Sequence, residues 1–154
     1  MPPSTHTPAF PRKISLGVAD CPDDDFNCIP TLSLCLEEDD APKCELWYVM
    51  PRLDSYQKLI FPSLSYPETF VGKTTIPVGV IENEEDMLVF REMFHSTSPW
   101  GSGEFIQVFL ARLSGETSLL VPLLEVCRAL VKVKEIRRRR RREVMRELMA
   151  GRRP

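Results

Sequence analysis

Thr75-Ile76-Pro77-Val78-Gly79-Val80-Ile81-Glu82-Asn83-Glu84-Glu85-Asp86-Met87 changes its pattern partway along. Thr75 to Ile81 reads as a strand; Pro77 removes one ladder donor and therefore favours a sheet edge or the start of the strand. From Asn83 onward the spacing is helical. The Asn83 side chain can accept a hydrogen bond from a first-turn amide, and Glu84, Glu85 and Asp86 suit the positive end of a helix dipole. Met87, Phe90, Arg91 and Phe94 then recur on a helical period. A helix over about 84–95 directly after a strand puts both element types into one small domain.

Toward the N-terminus, Ile14, Leu16 and Val18 alternate with Lys13, Ser15 and Gly17 over the length of a strand, which the acidic stretch Asp23-Asp24-Asp25 ends. Leu32, Leu34 and Leu36 alternate again. After an acidic connector over 37–43, Cys44-Glu45-Leu46-Trp47-Tyr48-Val49-Met50 is rich in strand-forming residues and pairs with its predecessor in a hairpin. The stretch from Pro51 to Phe70 is punctuated by proline around the apolar island Leu59-Ile60-Phe61, which reads equally as an edge strand or as a packed loop. Toward the C-terminus, Ser96 to Gly103 is a loop, and Phe105-Ile106-Gln107-Val108-Phe109-Leu110-Ala111 reads as a central strand. From about Leu120 to Met149 the apolar residues recur at helical spacing, with Pro122 in a first turn that tolerates it. The first half of this helix is apolar, the second is dominated by Arg137 to Arg142, and the two halves are expected to face different surroundings.

These readings predict an α+β fold: a mixed or antiparallel sheet of four to five strands with one packed helix over residues 13–113. A disordered arm over 1–12, carrying four prolines, precedes it, and a long basic helix within 114–154 follows. A length of 154 residues fits one domain with tails, or two very small ones, and argues against a multi-domain enzyme. No apolar run reaches the length of a membrane span, and Met1 to Pro11 have neither a basic start nor an apolar stretch. The expectation is a nuclear or cytoplasmic chain that is not secreted and has no membrane partner.

The formal net charge of −2 hides two opposite ends. Met1 to Cys127 hold 8 Lys/Arg against 19 Asp/Glu, whereas Arg128 to Pro154 hold 12 Lys/Arg against 3 Glu. Cysteines stand at 21, 28, 35, 44 and 127 without a C-x-x-C pair, and the histidines are His6 and His95. Structural zinc brings two ligands within a few residues of each other, so no metal is expected and the cysteines read as unpaired thiols.

Four pieces in order, Cys44 to Pro51, Ile76 to Ile81, Asn83 to Phe94 and Phe105 to Leu110, resemble the ubiquitin-like (β-grasp) N-terminal domain of plant Mutator-like transposases. The likeness covers about residues 44–112. It lacks the helix which that family usually carries between its second and third strands. The resemblance implies a non-catalytic, transposase-derived interaction domain without the DNA-binding and catalytic regions of a transposase.

Motifs for a reaction fail on chemistry. Gly72-Lys73-Thr74-Thr75 imitates the end of a phosphate-binding loop, but Pro67 stands where its first glycine is needed. Ser33-Leu34-Cys35-Leu36-Glu37 has serine in place of the leucine that opens a retinoblastoma-pocket peptide, so a core strand is the better reading. His95 reads as a helix-end cap rather than a base for Cys127. The runs Asp23 to Asp25 and Glu37 to Asp40 lack the spacing of a calcium loop. No enzyme activity and no cofactor are expected.

The arginine run carries the chemistry. Lys132, Lys134, Arg137, Arg138, Arg139, Arg140, Arg141, Arg142 and Arg146 are the candidate contact residues, flanked by Arg152 and Arg153; Glu135, Glu143 and Glu147 relieve their repulsion only in part. A nuclear-import signal, a sequence-independent nucleic-acid contact and a solvated helix end all fit the run, and docking on the acidic body would mask it. The function expected is an interaction module that binds a protein through its sheet or through the apolar half of the last helix, with the arginines contacting nucleic acid or an import receptor. The alternative is a small viral-type accessory protein that binds RNA and a partner helix.

Overall fold

The computed structural model describes residues 10–21, 24–36, 43–63, 68–99 and 102–151. Five strands come first: β1 (Arg12–Cys21), β2 (Asp24–Leu36), β3 (Lys43–Pro51), β4 (Tyr56–Ser63) and β5 (Phe70–Ile81). Three helices follow: α1 (Glu84–Ser96), α2 (Ser102–Glu116) and α3 (Leu123–Gly151). The sheet is antiparallel at every pairing, in the order β4-β3-β2-β1-β5. The fold is α+β, with the first four strands as successive neighbours and β5 returning to the free edge of β1. Residues 1–9 of the expected arm lie outside the described residues, and its last residue, Arg12, opens β1.

Alternation along the strands works as the sequence implies. Ile14, Leu16 and Val18 of β1, Leu32 and Leu34 of β2, and Trp47 and Val49 of β3 are all buried in one core with the helices. The island at Leu59 to Phe61 belongs to the edge strand β4, whose Tyr56 closes a hairpin opposite Pro51. Pro77 lies in the other edge strand, opposite Ser15, where a register shift leaves Val78 as the extra residue, so its missing donor is tolerated. α1 starts as its cap dictates: the Asn83 carboxamide accepts from the Asp86 amide at 2.9 Å.

The segment Phe105 to Ala111 is not a strand but lies inside α2. Phe105, Ile106, Phe109, Leu110 and Leu113 are fully buried, at offsets of one, four, five and eight residues, which is one face of a helix; Glu104, Gln107 and Val108 are exposed. The piece matched to the last strand of the transposase-domain likeness is therefore helical in this fold. Instead α2 completes an aromatic cluster. Trp47 meets Phe90 and Phe94 edge-on at centroid distances of 5.1 and 4.9 Å, and Phe94 meets Phe105 and Phe109 edge-on at 5.2 and 5.5 Å.

The expectation of unpaired thiols is overturned for one pair. Cys35 and Cys44 stand directly opposite each other in the β2–β3 register and form a disulfide. Residue spacing carries no register, so the pairing could not be seen from the chain alone. Cys28 is buried and free, and Cys127 is exposed and free.

α3 is joined to the sheet at its start. The Val80 amide of β5 donates to the Leu120 carbonyl at 3.0 Å. Gly79 makes room for this contact: a Cβ there would lie 2.4 Å from the Leu120 oxygen. From that point the helix runs 29 residues, about 44 Å at its rise per residue. Its buried positions Val126, Ala129, Val133 and Val144 form one stripe that continues past the arginines. The two halves of α3 therefore share a buried face, and the expected change of surroundings at the arginine run does not occur on that side.

Candidate functional site

Six arginines in a row wind around the helix axis, so the fold treats them unequally. Arg137 and Arg140 fall on the side of Val133 and Val144, turned toward the end of the β1–β2 hairpin. Arg140 is clamped there: its Nε donates to Asp20 Oδ1 at 3.0 Å and its Nη2 to Asp20 Oδ2 at 3.2 Å. Its Nη1 reaches Glu143 at 3.5 Å. This two-point geometry matches a guanidinium to a carboxylate, and the hydrogen bond to Asp20 pushes the Arg140 pKa above the ordinary arginine value against the smaller effect of burial.

Arg137 has no such partner among the described residues. Its Nε is buried without a hydrogen bond. Burial, reinforced by nearby Arg141, lowers its pKa from the usual value, and Cys28 and Glu104 offset part of this. The guanidinium remains charged all the same. On the other side of this junction, the Cys28 thiol lies 3.9 Å from Asp20 Oδ1. Burial and then Asp20 raise its pKa, while Arg137, Arg140 and Arg141 act in the opposite direction.

The other candidates face outward. Lys132, Lys134, Arg138, Arg139, Arg141, Arg142 and Arg146 are all exposed, and none forms an ion pair with a described residue. Arg138, Arg142 and Arg146 stand at successive steps of four residues, about 6 Å each along the axis. Arg139 and Lys132 flank this row on one side, Arg141 and Lys134 on the other. Glu135 shares a shallow groove with Arg138, Arg139 and Arg142. Glu143 serves the inward-facing Arg140, and Glu147 also acts on it. Two acids of the helix thus act on Arg140, while the exposed cations without a described partner face solvent. Arg152 and Arg153 lie outside the described residues.

Among the described residues, docking of the run on acids of the body is confined to Arg140. Asp20 was not among the expected contact residues: it is 120 residues away, and nothing local marks it. The remaining motifs gain no chemistry. His95 ends α1 with its ring edge-on to Phe94 at 5.6 Å and its carbonyl accepting from Lys58 Nζ at 2.7 Å; no hydrogen bond joins it to Cys127. Gly72 to Thr75 lie within β5 instead of at a strand-to-helix turn. Ser33 to Leu36 lie in β2, while Glu37 to Asp40 and Asp23 are outside the described residues. Among the described residues no group of three His, Cys, Asp or Glu side chains could hold a metal, and no helix is long and apolar enough to cross a membrane. No family model, no curated protein and no solved structure matches the chain.

Proposed function

We propose that the protein is a non-catalytic interaction module whose helix α3 contacts the phosphate backbone of nucleic acid without reading its sequence. One observation carries this: Arg138, Arg139, Arg141 and Arg142 remain exposed and without a carboxylate partner among the described residues, on a helix whose other face is anchored to the core. A rigid row of guanidinium groups offers a phosphate polymer several contacts for one ordering cost, and each contact releases counterions. No aromatic side chain interleaves with the arginines, so the surface is suited to backbones and not to stacked bases.

The import-signal reading is less well supported. A receptor groove that takes the run as an extended chain must first melt turns held by Val133, Val144 and the Arg140–Asp20 pair. The interaction-module reading does not depend on the transposase likeness.

Fluorescence anisotropy with a labelled random duplex of about 20 base pairs tests the proposal. Each neutralised phosphate contributes about −0.9 to the slope of log K against log salt, so four arginines predict a slope of about −3 to −4. Replacing Arg138, Arg139, Arg141 and Arg142 together by glutamine should leave the circular dichroism unchanged and remove most of that slope. Absence of binding at low salt, or an unaltered slope in the variant, refutes the reading.

A further inference from the structure

We infer that the N-terminal half of α3 is the docking surface for a second copy of this chain, paired antiparallel about a two-fold axis between Leu124 and Cys127. The face of α3 that turns away from the core is apolar at its start. Leu120 just ahead of the helix, then Leu124 and Val131 within it, are 52, 60 and 58% exposed, and Cys127 is exposed between them. Within the helix, Leu124, Cys127 and Val131 are spaced by three and four residues, as along the seam of a helix pair. Leu123, 61% exposed, lies along its edge. Continued at the same spacing, the seam reaches Lys134, Arg138 and Arg141, so the apolar part ends after about two turns.

Charge selects the occupant and the direction. A parallel pair would set the arginine runs of the two copies side by side. An antiparallel pair centred between Leu124 and Cys127 brings Leu124 opposite Cys127 of the second copy and carries Val131 past the start of the neighbouring helix, toward the exposed Leu120 ahead of it, so the contacts are apolar. The arginine runs then lie about 40 Å apart, roughly four Debye lengths at 0.1 M salt, and their repulsion is screened. The ends also complement each other. Leu120 is bonded to Val80, and the exposed Glu82, Glu84 and Glu85 follow within five residues of Val80. Each α3 therefore starts beside acids and continues into cations. Past the start of the neighbouring helix, Lys132, Lys134 and Arg138 of one copy extend toward the acidic end of the other. Arg139, Arg142 and Arg146 remain available to a polyanion. The pairing does not depend on the nucleic-acid reading.

Sedimentation equilibrium without nucleic acid tests it. From micromolar to several hundred micromolar protein, the average mass should rise from that of one 17.7 kDa chain toward twice that value. Leu124→Glu and Val131→Glu should each hold it at one chain, with unchanged circular dichroism because both side chains are exposed in the monomer. The antiparallel register puts the two Cys127 Cα atoms about 10 Å apart, beyond the roughly 7 Å limit for a disulfide. Bismaleimidoethane should therefore cross-link the wild type but not Cys127→Ser, while mild oxidation should give no Cys127-linked dimer. A chain that stays monomeric throughout, a dimer indifferent to both glutamates, or ready Cys127 disulfide formation, the mark of a parallel pair, each overturns the inference.

Discussion

The aromatic cluster between β3, α1 and α2 and the arginine turns of α3 follow the same geometric rule with opposite results. In the cluster, helical spacing gathers Phe90, Phe94, Phe105 and Phe109 onto inward faces, where Trp47 meets two of them edge-on. In α3 the spacing takes a block of identical residues and divides it: Arg140 goes to Asp20, Arg137 is half-buried without a partner for its Nε, and the others face water. A run in the sequence is therefore not a unit in the structure. Its helical phase decides which members stabilise the fold and which remain available to a ligand.

The comparison breaks most decisively at its apolar member. Phe94 touches Trp47, Phe105 and Phe109 and is fully buried, so Phe94→Ala should cost about 3–5 kcal/mol in urea unfolding. A loss below about 1 kcal/mol would mean that the cluster can collapse around the gap and is not the centre of the core.

A smaller effect sharpens the boundary between the two regions. The Cys28 thiol is held protonated above its ordinary value of 9.0, chiefly by burial. In the unfolded chain it ionises first, so its contribution is fully present below that value and is lost as pH rises through the raised folded one. Stability of wild type should fall more steeply above pH 9 than that of Cys28→Ala, measured by denaturant midpoints across alkaline pH. Parallel curves for the two proteins would show that Arg137, Arg140 and Arg141 cancel the effects of burial and Asp20.

The smallest effect compares neighbours within the run. Arg140→Gln should destabilise by about 0.5 kcal/mol, as a partly exposed ion pair does, whereas Arg139→Gln should leave stability unchanged and weaken polyanion binding. Equal effects of the two substitutions on stability would dissolve the division of the run.

Much of this architecture is legible in the chain, for identifiable reasons. β1, β3, α1 and α3 announce themselves because their apolar periods are clean and Asn83 marks a helix start. α2 misleads because Phe105 to Ala111 is short, apolar and built of residues that also suit strands; only Leu113, one further turn along, extends the helical period. The Cys35–Cys44 bridge and the Asp20–Arg140 clamp depend on register and on contact across 120 residues, which no local pattern encodes. The outward position of the candidate arginines was partly readable. Given the helix, the alignment of Arg137 and Arg140 with Val133 and Val144 already separates them from Arg138 and Arg142.

Gly79 gives the molecule a fulcrum. Because α3 is fastened to β5 over a residue without a side chain, a methyl group at that point would have to prise the strand and the Leu120 carbonyl apart, tilting a shaft about 44 Å long from one end. A displacement too slight to disturb the sheet would be magnified at the far tip, so the aim of the cationic rows is set by an uncharged residue more than fifty positions away from them.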